Sequence, residues 1–143
     1  MTLLPECADE LFTTFPVDMN DVESITPLGN LGPPGHTFPT QHPHIHLGEY
    51  ETSYAYPLYA PADIHITGVW WTEGMTQDPI DYSIFFALCK DIIGYYNHIK
   101  TISDEVKEIA DKVECESFSS EGSCTKVINL DKVEEGTLLG EVG

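Results

Sequence analysis

Histidine is the residue type that sets this chain apart. Six occur in 143 residues, and His36, His42, His44 and His46 fall within eleven of them. Neutral imidazole is a common zinc ligand. In a strand, alternate side chains face the same way, so His42, His44 and His46 share one face while Ile45 and Leu47 share the other. Residues two apart stand about 6–7 Å from one another along a strand, so such a row can offer two ligands at once. His36 lies on a Gly/Pro-rich loop and could swing in as another. The plainer alternative is a row of polar side chains facing water. His65, after a Pro-Ala-Asp turn, reads as structural or solvent-facing. His98 stands in Tyr95-Tyr96-Asn97-His98-Ile99, where a hydrogen-bonded structural role is the default.

These residues need strands to hold them. Thr26 to Gly35 is dense in Gly and Pro and reads as a loop. His42 to Leu47, Tyr54 to Tyr59, Ile64 to Trp71, Asp81 to Leu88 and Ile92 to Ile102 read as strands, rich in β-branched and aromatic residues. Ala60 to Asp63 reads as a turn, and Thr72 to Pro79 as a hairpin connection. Ser103 is a good N-cap, and Val106, Ile109, Ala110 and Val113 follow at helical spacing, so one short helix is expected over 104–113. Cys7 to Phe12 has the composition of a second short helix. Lys126 to Leu130 is a further strand, and 131–143 carries turn glycines around an apolar step. The expected fold is mainly β, with one domain over 26–143 and an N-terminal extension over 1–25.

Composition narrows the partners. The 24 acidic residues face six basic ones, all lysine, for a net charge of −18. Without arginine there is no planar fork for bidentate phosphate contacts. The charge repels nucleic acid and attracts cations, including divalent metals and basic partners. It also serves solubility. No apolar run approaches the ~18 residues that span a membrane, so no membrane-spanning segment is expected. The N-terminus has no secretory leader pattern. The four cysteines form no C-x-x-C pair. Cys115 and Cys124 flank a Ser/Gly-rich stretch that a disulfide could close; free thiols are the alternative.

Several segments then fall in a familiar order. Tyr56-Pro-Leu-Tyr-Ala-Pro-Ala-Asp63, followed by Ile66-Thr-Gly-Val69, resembles the P-V-Y-A-P-A-D-G-x-V segment of LytM/lysostaphin-type zinc endopeptidases. Tyr96-Asn97-His98-Ile99 resembles their Y-x-H-L strand. Val133 to Gly143 resembles their V-x-x-G-x-x-I-G-x-x-G turn and strand, and His42-x-x-x-His46 stands where they have H-x-x-x-D. The resemblance implies a compact antiparallel β-sandwich or barrel-like domain of the duplicated-hybrid-motif kind. It implies an extracellular or periplasmic setting and a Zn2+ that activates water against peptide bonds of a peptidoglycan-like substrate. By position, it makes His42 and His46 metal ligands, with His36 as a substitute for His42. It makes His98 the catalytic assistant, a general base or a stabiliser of the tetrahedral intermediate.

The departures are specific. His46 replaces the family's Asp, and His44 replaces the glycine between the ligands. Ile64 follows Asp63 where a glycine is usual. The chain is expected to stop short of the family's final H-x-H. Three functions follow: a divergent metalloendopeptidase, a non-catalytic binding or scaffold domain on the same fold, and a His-rich metal-binding module. In the second, tyrosines 50, 54, 56 and 59 with Trp70 and Trp71 could line a groove, or most of them could belong to the core.

Overall fold

The alternating and apolar runs become strands, as their β-branched and aromatic content requires. The structure, a computed structural model, describes residues 4–31, 41–48, 55–73, 80–116 and 122–143. The strands are β1 (Val22–Thr26), β2 (His44–Leu47), β3 (Tyr56–Tyr59), β4 (Ile64–Glu73), β5 (Ile80–Cys89), β6 (Ile92–Ile102), β7 (Ser123–Val133) and β8 (Leu138–Val142), with one helix, α1 (Asp104–Ala110). Six strands form one sheet in the order β3-β8-β6-β5-β4-β7, and β1 and β2 form a separate pair. Every pairing is antiparallel among the described residues. The domain is thus mainly β with one short helix.

The core explains which face of the large sheet is closed. Ile64, Ile66, Val69, Ile84, Ile99 and Leu139 have no exposed surface. Burying each such side chain is worth about 1.5–3 kcal/mol. Val106, Ile109 and Ala110 bring α1 onto this core, and Ile45 and Leu47 bring β2 onto its margin. Helix α1 starts where expected, because the Ser103 hydroxyl accepts the Val106 N–H. It ends three residues earlier than the apolar spacing suggests. Beyond Ala110 the chain turns towards the Cys115–Cys124 disulfide, and Glu116 N–H bonds the Thr125 carbonyl of β7.

The N-terminal segment differs from expectation. Residues 7–12 form no helix; Cys7 is bridged to Cys89, and the Thr13 and Thr14 N–H groups both donate to the Pro61 carbonyl. Tertiary bonds thus override a weak local propensity. Val17 is buried in the core, and β1, for which the sequence offered no clear signal, pairs with β2. Strand β7 is longer than expected and takes up two extra residues against β4, where Leu130 adopts a positive φ of 57°.

The turn into β4 is pinned by charge. Asp63 accepts the Glu135 N–H at 3.0 Å and pairs with Lys132 at 2.7 Å. The Lys132 ammonium first, and the Glu135 N–H second, hold the Asp63 carboxyl below the usual carboxylate range. A depressed carboxyl contributes stability above its unfolded value of 3.8 and loses it as pH falls through the folded value. Asp63→Asn is therefore expected to be less stable than the parent at neutral pH, with the gap closing below about pH 4. Thermal melts across an acid series check this; a gap that stays constant to the lowest pH contradicts it.

Candidate functional site

Strand β5 carries the centre of the site. Phe85 pairs with Tyr95 of β6 on one side and with Gly68 of β4 on the other, and Gly68 pairs with Val127 of β7. Directly paired residues share a face. The row Val127, Gly68, Phe85, Tyr95 therefore crosses the sheet on the face opposite Ile84 and Phe86, which are buried. Val127 is 51% exposed, Phe85 39% and Tyr95 42%. Ile93, two residues before Tyr95, shares its face and is 81% exposed. Trp70 pairs with Ser83 and lies on this face as well, half-buried. A Cβ on Gly68 would lie 3.8 Å from Phe85 and 3.3 Å from the Lys126 carbonyl, so the glycine, itself buried, lets the strands pack closely at this point of the row.

The histidine row continues this surface. Strand β2 turns Ile45 and Leu47 towards the core, which leaves His44 and His46 on its other side, as alternation requires. The rings of His42 and His44 stack at 4.7 Å, and those of His44 and His46 at 6.1 Å. His42 meets the Tyr95 ring edge-on at 6.3 Å, and Tyr95 lies 5.8 Å from Phe85. Five rings from His46 to Phe85 thus form one continuous series. Thr26 of β1 steadies its outer end, with Oγ1 at 2.9 Å from His46 Nε2.

His98 reaches the same face from β6. Asn97 and His98 together oppose the single residue Ser83, which makes a β-bulge, and His98 takes a positive φ of 58°. Its Nδ1 lies 3.1 Å from Asp81 Oδ2; the His98 side chain is 69% exposed and that of Asp81 only 7%. Asp81, Ser83 and Phe85 alternate on β5, so Asp81 shares the face of the aromatic row. A buried carboxylate holding an exposed imidazole fixes the ring and leaves its other nitrogen available, the geometry of a general base or a hydrogen-bonding anchor. Positive φ in a non-glycine residue is uncommon and concentrates at functional sites. Along β6, His98 is about 10 Å of strand from Tyr95.

The expected metal ligands are aligned rather than convergent. Two nitrogens on one zinc lie within about 4 Å of each other, and the ion lies in the plane of each ring. The His42 and His44 planes are only 26° apart at 4.7 Å, so they face each other and do not meet at a nearby point. His44 stands between His42 and His46, which are separated by about 13 Å of strand. Among the described residues, no group of three or more His, Cys, Asp or Glu side chains is placed to hold a metal. His36, the remaining expected ligand, lies outside the described residues.

His65 is buried, and its Nδ1 has no hydrogen-bond partner among the described residues. Trp71 packs against Tyr82 at the core margin, Tyr56 and Tyr59 sit half-buried on β3, and tyrosines 50 and 54 lie outside the described residues. On the opposite side of β2, a cleft of about 420 Å3 is lined by Phe12, Phe15, Pro16, Ile45, Pro61 and Tyr96, with Thr13 and Thr14. Burial there pushes the Tyr96 phenol above its ordinary range. The Thr14 hydroxyl donates to Glu135, so the cleft's polar groups are largely engaged in holding the N-terminal segment.

Asp81, Phe85, Tyr95 and Gly68 were not singled out from the sequence. An acidic residue opening an otherwise apolar strand, Asp81-Tyr-Ser-Ile-Phe, was the available signal for the first. No protein-family model, curated protein or solved structure matches this chain.

Proposed function

We propose that this chain is a binding domain on a zinc-peptidase-like β fold, whose working surface is the aromatic and histidine face of the large sheet. The observation that carries this reading is the unbroken series of rings His46, His44, His42, Tyr95 and Phe85, of which His46, Tyr95 and Phe85 are exposed and His42 and His44 half-buried, beside the exposed Ile93 and Val127. Rings and apolar side chains in an open track suit an extended peptide or glycan strand, which stacks on ring faces and hydrogen-bonds to ring edges. Two disulfides suit an oxidising, extracytoplasmic setting, where cell-wall strands of this kind occur.

The His98–Asp81 pair favours a second reading, peptide-bond hydrolysis with His98 as proton acceptor. The described histidines stack and do not converge, so this reading rests on His98 and Asp81 alone.

Calorimetric titration with short glycyl peptides and N-acetylglucosamine oligomers separates the two. On the binding reading, at least one ligand binds without being cleaved, and Tyr95→Ala weakens it about tenfold or more, equivalent to about 1.4 kcal/mol. Equal affinity in parent and Tyr95→Ala would sink the reading. Cleavage products that vanish in His98→Ala, with binding retained, would establish the hydrolytic alternative instead.

A further inference from the structure

The aromatic face and the charge of the chain together specify what kind of strand it holds. Six lysines stand against 24 acidic residues. Four of those lysines are already paired within the domain: Lys90 with Glu6, Lys112 with Asp131, Lys126 with Asp111 and Lys132 with Asp63. The bulk of the carboxylates therefore have no lysine to neutralise them, and the surface presents a negative potential to whatever approaches. None of the residues of the cross-sheet row carries a charge: Val127, Gly68, Phe85 and Tyr95 form an uncharged strip on a chain of net charge −18.

An anionic strand is repelled by such a surface, and a neutral strand gains nothing from it. A lysine side chain matches both parts, with an apolar stem and a cationic head. Ammonium groups are also attracted to the faces of aromatic rings. Resting on the binding reading above, we propose that the occupant of this face is an amine-bearing, lysine-type peptide. Its stems lie along Ile93 and Val127, and its ammonium groups sit over Tyr95 and Phe85.

The test uses the full chain with pentalysine, pentaglycine, pentaglutamate and an N-acetylglucosamine oligomer as probes. Titrations run between about 0.01 and 0.1 M salt, over which the screening length falls from about 30 to about 10 Å. Pentalysine is expected to bind at least about tenfold tighter than the other probes at low salt, to lose most of that advantage at the higher salt, and to lose binding in Tyr95→Ala. Tyr95→Phe, which keeps the ring, retains it, and Phe85→Ala supplies a second test should Tyr95→Ala fold poorly. Tyr95-dependent binding of pentaglycine or the sugar oligomer with no preference for pentalysine overturns this proposal and leaves the binding function standing. Pentalysine binding that ignores both Tyr95→Ala and Phe85→Ala is charge alone and also overturns it. No ring-dependent binding of any probe overturns both.

Discussion

The double substitution Cys7→Ala/Cys89→Ala is expected to lower the unfolding free energy by about 4–5 kcal/mol, the chain-entropy value for a loop of this length. The two residues are 82 apart in sequence, and their Cα atoms are 5.1 Å apart. The same model gives about 2.6 kcal/mol for Cys115 and Cys124, which are only 9 apart. Domains of this size are stable by about 5–15 kcal/mol, so the first loss is a large share of the whole. It should also have a local signature. The Cys7–Cys89 bridge, the Lys90–Glu6 pair and the Lys90 N–H bond to the Pro5 carbonyl tie the N-terminal segment to the β5–β6 turn. Without the bridge, proteolysis is expected first between Pro5 and Phe15. Denaturant titration with limited proteolysis reads both effects. A midpoint shift no larger than that of Cys115→Ala/Cys124→Ala would show that the long-range staple contributes less than its loop length implies.

Gly140→Ala is expected to cost about 3 kcal/mol, the upper end for overpacking. Gly140 sits in mid-β8 between Leu58 of β3 and Ile102 of β6. An added Cβ would overlap the Thr101 carbonyl oxygen and would lie 3.0 Å from Ile99 Cγ2 and 3.2 Å from Ile102 Cα. Backbone atoms of a paired strand cannot swing aside as the end of a side chain can. Gly136→Ala provides the contrast. Its φ is +75°, but an added Cβ would meet nothing within 4 Å, so only the left-handed backbone penalty of about 1–2 kcal/mol applies. Thermal melts of the two variants should rank Gly140→Ala well below Gly136→Ala; the reverse order contradicts the packing argument.

The fold was largely legible because periodicity carried it. Strands β4, β5 and β6 lie within a residue or two of the runs that suggested them, and Ser103 caps α1 as its sequence promised. The Cys115–Cys124 bridge was one of two open alternatives, and its short spacing made it visible. The Cys7–Cys89 bridge was not, since nothing local relates residues 82 apart. Strand β1 was hidden because Val22 to Thr26 is mostly exposed and has little apolar pattern.

The site was legible in part. Alternation placed His42, His44 and His46 in a row, as their rings are found. What spacing could not give was the direction of the ring planes, which decides between stacking and convergence on a metal. The Asp81–His98 pair depends on a bulge that puts Asn97 and His98 opposite one residue, a register feature no single strand reveals. Tyr95 was noticed only as a neighbour of His98, yet it joins the histidine row to Phe85 across two sheets.

The most direct measurement of the central claim is a map of ligand contact on the domain by nuclear magnetic resonance, with the tightest-binding short peptide or glycan as probe. The binding account predicts shift changes concentrated on the rings of His42, His44, Tyr95 and Phe85 and on the methyls of Ile93 and Val127. It predicts little change at Phe12, Phe15 and Tyr96, which line the cleft on the other side of β2. Shifts confined to that cleft, or scattered over the acidic surface with none on the ring series, would contradict it.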